Sequence, residues 1–298
     1  MPTNINISGK NIFMTGATAG LGKVAALYLA DQGANLIVLS RDKVKTEKLL
    51  TEFKQKYPSS KGNIDIVEGN LNSFSSIITA CNTVKRKINQ PDVIIHNAGI
   101  MNFNPVITEN GIEETLQVNL LSPILINHIL LPEIDSNREC RVIFTASGLH
   151  QGDINFENIE FKGNFSGFRV YRQSKLGVIL LVRLLSEKLS KYNINFYCQH
   201  PGLVRTELGR NAGWLAKTIF NIMGKSPEKG AQTLIYLAET NKDELIRGEY
   251  YAYKKVKKIT QQSYDLNTAE KLLKIIQDYL RRYLNHPSLI FPAGEKNI

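Results

Sequence analysis

Tyr171 and Lys175 are the two residues whose types and spacing most directly suggest acid–base chemistry. Residues four apart lie on the same face of an α-helix, because the helix has 3.6 residues per turn. A lysine ammonium beside a tyrosine phenol favours the phenolate and lowers the tyrosine pKa toward neutral. The spacing therefore predicts that Tyr171 gives or takes a proton at physiological pH. The same spacing arises by chance in many exposed helices, so the pair alone does not establish a site.

Two polar residues that precede this helix could act on the same substrate. Ser147 follows the predicted strand 141–145, where its hydroxyl could bond a substrate oxygen; an ordinary turn serine is the alternative. Asn119 lies four residues before Pro123 in a predicted helix. Proline has no N–H, so we expect a kink there and a water on the Asn119 carbonyl that relays protons from Lys175. A kink that serves packing alone is the alternative.

The elements that must position these residues alternate between strands and helices along the whole chain. Apolar runs predict seven strands, at 11–15, 35–39, 64–67, 92–96, 141–145, 195–198 and 249–253. Amphipathic stretches predict helices at 21–32, 42–57, 73–88, 111–131, 171–191, 226–239 and 269–284, and residues 150–167 are interpreted as an insertion over the site. Alternation of this kind is typical of a parallel sheet covered by helices on both faces. We therefore predict one α/β domain over residues 1–298, a doubly wound parallel seven-stranded sheet of the Rossmann type.

A glycine-rich loop joins the first predicted strand to the first predicted helix. Glycine lets a backbone approach a pyrophosphate closely, and the helix N-terminus presents unpaired N–H groups to it. The glycine spacing differs from the G-x-G-x-x-G fingerprint, although the strand–loop–helix context is the required one. The loop therefore favours a nucleotide, held by Gly16, Thr18, Ala19, Gly20, Leu21 and Gly22.

The end of the second strand favours NADP(H), with NAD(H) as the less favoured cofactor. An acidic residue here would bind the ribose 2′-OH of NAD, whereas a guanidinium fits a 2′-phosphate. The residue in that place is Arg41, and Ser40 could donate to the same phosphate. Asp42 is expected to cap the next helix instead of binding the ribose.

Two later strand ends offer small or rigid residues to the same ligand. Asn97-Ala98-Gly99 lets an adenosine ribose pass over the fourth strand, although Asn97 is equally suited to a plain turn. After the sixth strand, the turn that begins with Pro201-Gly202 and includes Val204 and Thr206 could hold the nicotinamide carboxamide. The apolar segment 207–225 that follows is either a lid over an apolar substrate or a core helix. Because lysines flank it, peripheral contact with a membrane is a further open alternative.

Charge and composition narrow the classes of partner. The formal net charge is +10, from 37 Lys and Arg against 27 Asp and Glu. The one dense basic cluster, at 254–258, lies in no nucleic-acid-binding motif, so no nucleic-acid partner is expected. No run of 18 apolar residues and no secretory signal are visible, so we expect no membrane span and a cytoplasmic location. Three isolated cysteines fit a reducing compartment, and the five histidines show no metal-ligand spacing, so no metal is expected.

Taken together, these motifs resemble those of the short-chain dehydrogenase/reductase family. Thr15-Gly16-x-x-x-Gly20-x-Gly22, Asn97-Ala98-Gly99, Asn119 with Ser147 and Tyr171-x-x-x-Lys175, and Pro201-Gly202 stand in the family's order. Strings such as Asn97-Ala-Gly-Ile-Met101 and His200-Pro-Gly202 look like the retinol dehydrogenase and WW-domain oxidoreductase branch. The resemblance implies adenine contacts from Asn70 and Leu71, where the family usually has Asp at the first position. With Asn70 there, we expect a weaker adenine contact.

The resemblance also implies a mechanism. Tyr171 is the general acid/base, Lys175 lowers its pKa and binds the nicotinamide ribose, Ser147 orients the substrate oxygen, and Asn119 completes the proton relay. The implied activity is NADP(H)-dependent hydride transfer to or from a lipophilic alcohol or carbonyl compound. A homodimer or tetramer is implied by the family's usual assembly. The alternative is a non-catalytic NADPH-binding or scaffold protein, against which the intact Ser147, Tyr171 and Lys175 argue.

Overall fold

An eight-stranded sheet forms the centre of the molecule, in the strand order β3-β2-β1-β4-β5-β6-β7-β8. The structure is a computed structural model that describes residues 5–135, 137–202 and 226–284. Every neighbouring pair is parallel except β7 and β8. The strands are β1 Asn11–Thr15, β2 Asn35–Ser40, β3 Asn63–Glu68, β4 Val93–His96, β5 Cys140–Thr145, β6 Ile194–His200, β7 Tyr250–Ala252 and β8 Lys255–Val256. The doubly wound sheet is confirmed, with one strand more than predicted.

The eighth strand escaped prediction because it is two residues long and lies in a run of lysines. A tight turn at Tyr253 and Lys254, both with positive φ (54° and 61°), folds it back on β7. Lys255 of this strand and the lysines on either side of it are exposed at the open edge of the sheet. Charge on an edge strand prevents another chain from pairing there. The basic cluster at 254–258 is therefore explained by its place in the sheet.

Helices cover both faces of the sheet, as predicted. Their bounds are α1 Gly20–Asp31, α2 Lys43–Lys56, α3 Phe74–Lys87, α4 Glu114–Leu116, α5 Ser122–Leu130, α6 Gly167–Lys188, α7 Pro227–Glu239 and α8 Leu266–Leu280. Asp42 caps α2 by accepting from Lys45 N (3.0 Å), and Ser73 caps α3 by accepting from Ser76 N (3.2 Å). The cap at Asp42 is as predicted.

Two apolar cores lie on opposite faces of the sheet, because successive strand residues point to opposite sides. On β1, Phe13 packs into one core and Met14 into the other. The first core is closed by α3, α5, α6 and α8, and the second by α1, α2 and α7. Burying one Leu or Ile side chain contributes roughly 1.5–3 kcal/mol, so these helices are held to the sheet chiefly by apolar contact. The carboxyl ends of the parallel strands are left for a ligand.

One segment differs from the predictions. The helix predicted at 111–131 is divided: α4 and α5 are joined by a π-helix at Gln117–Leu121, just before Pro123. A π-turn is one way a chain accommodates a proline that cannot donate its N–H. The stretch 150–167, predicted as an insertion over the site, is anchored in the first core through Ile154 and Ile159, and its Phe161 is also buried.

Candidate active site

A cavity of about 770 Å³ opens at the carboxyl ends of the parallel strands. Every predicted site residue that the structure describes lines it, with the exception of Asn119. The glycine-rich loop and Arg41 lie along one part of the cavity, and Ser147, Tyr171 and Lys175 lie along another. Two predicted contacts, Val204 and Thr206, and the segment 207–225, lie outside the described residues. The strand ends thus gather into one cavity residues that are widely spaced in sequence.

The glycine-rich loop forms a cradle that side chains would fill. Gly16 has φ of +68°, and a Cβ there would lie 2.6 Å from Ala98 N. A Cβ on Gly22 would lie 2.0 Å from Gly16 O. Helix α1 begins after Ala19, whose side chain supplies no cap, so its first N–H groups face the cavity uncapped. These features fit the pyrophosphate of a dinucleotide.

Asn97 ties the glycine loop to the neighbouring strands. Its Nδ2 donates to Gly16 O at 2.8 Å, and its Oδ1 accepts from Thr145 Oγ1 at 3.2 Å. Ala98 N donates to Thr15 Oγ1 at 3.2 Å. The ends of β1, β4 and β5 are thereby fixed relative to one another. Asn97 is therefore a structural clamp of the cradle as well as part of its wall.

A basic group stands beyond the end of β2. Arg41 is exposed, and its Nη1 donates to Asn70 Oδ1 at 3.3 Å. Ser40 Oγ accepts from Thr46 Oγ1 at 2.9 Å, which fixes the hydroxyl. Lys45, in the first turn of α2, also lines the cavity. Sequence reasoning missed Lys45, although a second cation close after Arg41 would have been a signal.

Tyr171 and Ser147 line the same cavity, and the Ser147 hydroxyl is near enough to the Tyr171 phenol to lower the phenol's pKa. Burial raises the pKa of the Tyr171 phenol, and the Ser147 hydroxyl lowers it by a smaller amount. Lys175 Nζ lies 5.7 Å from the centre of the Tyr171 ring and donates to Thr145 O at 2.8 Å. Burial lowers the pKa of Lys175 to about 8. The phenol and the ammonium therefore share one wall of the cavity without a direct bond between them.

This geometry corrects one expectation. The predicted lowering of the Tyr171 pKa by Lys175 is not found; the pKa of the phenol is raised. Desolvation penalises the phenolate, and the ammonium is aimed at the Thr145 carbonyl instead of the phenol. The sequence spacing correctly placed both side chains on one face of α6. It contained no information on how deeply that face is buried.

The family of the chain follows from comparison with known proteins. The sequence model of the short chain dehydrogenase family matches residues 10–213. The chain belongs to this family. Human (Homo sapiens) retinol dehydrogenase 14 is 32% identical over 285 residues, which cover 90% of this chain and 85% of that protein. The chain is thus an oxidoreductase of the short-chain type, in the retinol dehydrogenase-like branch.

Solved structures agree on the fold. The crystal structure of an uncharacterized protein from Mycobacterium Paratuberculosis superposes with a TM-score of 0.75 at 23% identity, covering 93% of this chain and 96% of that one. A 3-ketoacyl-(acyl-carrier-protein) reductase from Brucella melitensis, solved with NADH, superposes with a TM-score of 0.62 at 21% identity, covering 82% and 96%. At these identities the likeness concerns the fold alone. The cradle and the family together make the cavity of this short-chain dehydrogenase a nicotinamide-dinucleotide site.

Asn119 lies behind the cavity wall of this dehydrogenase. Its Oδ1 accepts from Ile100 N at 2.8 Å, and its Nδ2 donates to Ile100 O at 2.9 Å and to Ser174 Oγ at 3.0 Å. A Cβ on Gly99 would lie 3.3 Å from Asn119 Oδ1 and 3.2 Å from Lys175 Nζ. The amide thus braces the loop after β4 against α6. The proposed water on its carbonyl stays a prediction.

Three polar residues of the cavity were not found from the sequence. Glu114 accepts from Asn102 Nδ2 at 2.6 Å and also from Asn72 Nδ2. All three line the cavity. Their positions in a loop after β3, a loop after β4 and the start of α4 carry no local pattern. Only the packing of these segments brings them together.

The described ranges contain no cluster of three His, Cys, Asp or Glu side chains suited to a metal ion. Within the same ranges, each helix is too short or too polar to cross a bilayer.

Proposed function

We propose that this short-chain dehydrogenase transfers a hydride between NADP(H) and a lipophilic alcohol or carbonyl compound. The observation that carries the proposal is the convergence of Ser147, Tyr171 and Lys175 on the cavity that also contains the glycine cradle. A nicotinamide bound there supplies or accepts the hydride. The protein's part is to hold the substrate and to manage one proton.

Tyr171 serves as the general acid in the direction of carbonyl reduction. Because burial raises its pKa, the phenol stays protonated at neutral pH and has a proton to give to a developing alkoxide. Ser147 shares that oxygen, since its hydroxyl lines the cavity with the phenol and lowers the phenol's pKa. The positive charge of Lys175 Nζ lies 5.7 Å from the centre of the Tyr171 ring, and this charge stabilises the phenolate after proton transfer. In the reverse direction the phenol must first lose its proton, so alcohol oxidation is expected to accelerate as pH rises.

Arg41 and Lys45 support the preference for NADP(H). Both lie at the end of the cavity where β2 finishes, and Ser40 is the last residue of that strand. Two cations and a hydroxyl fit the double charge of a 2′-phosphate, whereas no carboxylate of β2 is placed for a 2′-OH. Asp42 caps α2 and is thereby engaged elsewhere.

The lipophilic class of substrate is supported by the rim and by the relatives. Leu149 and Met101 line the cavity. Leu149, Phe103 and Phe168 are among the exposed large apolar side chains. Gly167 packs against the backbone of Asn102, which lines the cavity, and of Phe103, so Phe103 and Phe168 lie close to each other. A relative named retinol dehydrogenase agrees with an apolar alcohol or aldehyde.

The test is NADPH oxidation by the purified protein with a panel of carbonyls, from small ketones to retinal and steroids, and with NADH in parallel. Turnover with NADPH is expected, and Tyr171→Phe should abolish it while NADPH binding stays nearly unchanged. Tyr251→Phe is the matched control, because Tyr251 belongs to the other core and its hydroxyl bonds the Ile246 backbone. Tight NADPH binding without turnover across the panel would favour a non-catalytic, cofactor-sensing role. Failure to bind either nucleotide would refute the proposal.

A further inference from the structure

The main-chain carbonyl of Ser147 accepts hydrogen bonds from two buried side chains behind the cavity. His150 Nδ1 lies 2.8 Å from this oxygen, and the Tyr250 hydroxyl donates to it at 3.2 Å. A carbonyl can only accept, so the proton of His150 is on Nδ1. The side chains are 6% and 4% exposed, and their ring centres lie 5.3 Å apart. The Ser147 carbonyl is therefore held by a paired histidine and tyrosine.

His200 fixes the next residue of the same turn. Its Nδ1 accepts from Gly148 N at 3.0 Å. Its ring stacks on that of Tyr250, with centres 6.3 Å apart and planes 14° apart. His200 ends β6, Tyr250 begins β7, and His150 belongs to the segment after β5. The turn that carries Ser147 is thus fastened to two neighbouring strands.

The placement of this turn determines where the Ser147 hydroxyl lies. That hydroxyl accepts from Leu149 N at 3.1 Å, and it lowers the pKa of the Tyr171 phenol, which lines the same cavity. Rotation of the Ser147 peptide would break the bonds to its carbonyl and move the hydroxyl away from the phenol. We propose that His150 and Tyr250 are positioning residues that hold the Ser147 hydroxyl against the Tyr171 phenol by way of the Ser147 carbonyl. The inference rests on the proposed function, which assigns Ser147 and Tyr171 to the proton step.

His150 does this as a neutral imidazole. Burial is the largest influence and lowers the pKa of His150; the bond to Ser147 raises it, and the charge of Arg172 lowers it. Among the described residues, its Nε2 has no hydrogen-bond partner. A second proton would therefore bury an N–H without an acceptor, beside a guanidinium. The imidazole therefore stays neutral, with a single N–H at Nδ1 that donates to the Ser147 carbonyl.

The first test compares two variants of His150. His150→Leu removes the donor while roughly keeping the volume, and His150→Asn keeps an N–H donor in the position of Nδ1. We expect kcat for carbonyl reduction to fall about tenfold in His150→Leu and to recover to within about threefold of wild type in His150→Asn. NADPH affinity should stay within about twofold, because neither variant alters the cradle. Equal kcat values in the two variants would overturn the proposal.

The pH profile separates positioning from general loosening of the fold. The Ser147 hydroxyl lowers the pKa of Tyr171, so moving it away raises that pKa further. The decline of kcat at alkaline pH should therefore move to higher pH in His150→Leu and return in His150→Asn. A merely structural role would reduce kcat without moving the profile.

Tyr250→Phe completes a double-mutant cycle with His150→Leu. Either single variant leaves the Ser147 carbonyl one donor, whereas the double variant leaves it with none, so the combined loss of kcat should exceed the product of the single losses. Tyr251→Phe, the next residue on the strand, is the control and should not alter kcat. Combined losses that merely multiply would contradict a shared acceptor.

A tyrosinate absorbance titration measures the pKa of Tyr171, and so tests its contact with Ser147, in the absence of substrate. The difference between the protein and its Tyr171→Phe variant isolates the ionisation of Tyr171. An upward shift of this pKa in His150→Leu supports the inference, and an unchanged pKa overturns it. Absence of turnover with every carbonyl would instead refute the proposed function, so the two failures are distinguishable.

Discussion

Replacement of Lys175 by Met is expected to abolish activity without lowering the free energy of unfolding at pH 7. Lys175 is 3% exposed, and burial lowers its pKa from about 10.5 to about 8. Keeping the ammonium charged in the folded state at pH 7 then costs about 3 kcal/mol. The ammonium donates to Thr145 O at 2.8 Å, and this bond is already included in the folded-state pKa. A methionine in this place carries no such electrostatic cost.

The sign of the pH dependence distinguishes this account from a simple packing effect. The folded pKa is the lower one, so the penalty is greatest below pH 8 and is relieved as pH rises toward the unfolded value. Between pH 7 and pH 9 the wild type should gain about 1 kcal/mol of unfolding free energy relative to Lys175→Met. If Lys175 is not desolvated, the difference in unfolding free energy between wild type and Lys175→Met should not change with pH.

The assay is urea unfolding of the nucleotide-free proteins, followed by circular dichroism at pH 7, 8 and 9. Subtracting the variant from the wild type at each pH cancels the titration of every other group that the change leaves undisturbed. Lys188→Met, on the same helix but 39% exposed and paired with Glu270, is the matched control. A flat difference for Lys175→Met would refute the reasoning that burial sets the charge state of this lysine.

Three further changes test other parts of the molecule. Arg41→Asp should shift cofactor preference toward NAD(H), measured as the ratio of kcat/KM for NADPH and NADH; an unmoved ratio would remove Arg41 from the 2′-phosphate site. Gly22→Ala should weaken NADPH binding at least about tenfold, because its Cβ would lie 2.0 Å from Gly16 O. An unchanged affinity in a fluorescence titration would contradict the assignment of the glycine loop to the cofactor. Arg141→Met should lower the free energy of unfolding by about 3 kcal/mol, since buried Arg141 donates to the last carbonyls of α7 at Leu237 and Ala238. If chemical unfolding shows that the free energy falls by less than about 1 kcal/mol, this cap is dispensable.

The acid–base pair and the glycine loop were accessible from sequence because each depends on a local repeat. Tyr171 and Lys175 share a helix face by spacing alone, and the glycines stand directly between β1 and α1. The caps of α2 and α3 were likewise readable, since a cap bonds an N–H three residues away. Short-range geometry of this kind can be predicted without knowledge of the fold.

Contacts between distant segments had no such signal. Glu114 gathers amides from two loops, and Tyr250 reaches the Ser147 carbonyl across 103 residues of sequence. The short strand β8 was missed because it is exposed at the open edge of the sheet. A strand in that place needs charge and has no apolar pattern. Each of these features depends on which elements become neighbours.

The sequence by itself determined the alternating α/β pattern, the family and the residues that converge on the cavity. The tertiary structure decided their electrostatic state. Spacing alone predicted a lowered pKa for Tyr171, whereas burial raises it and directs Lys175 toward Thr145 O. Desolvation depends on every element packed around a group, so it cannot be read from the residues beside it in the chain.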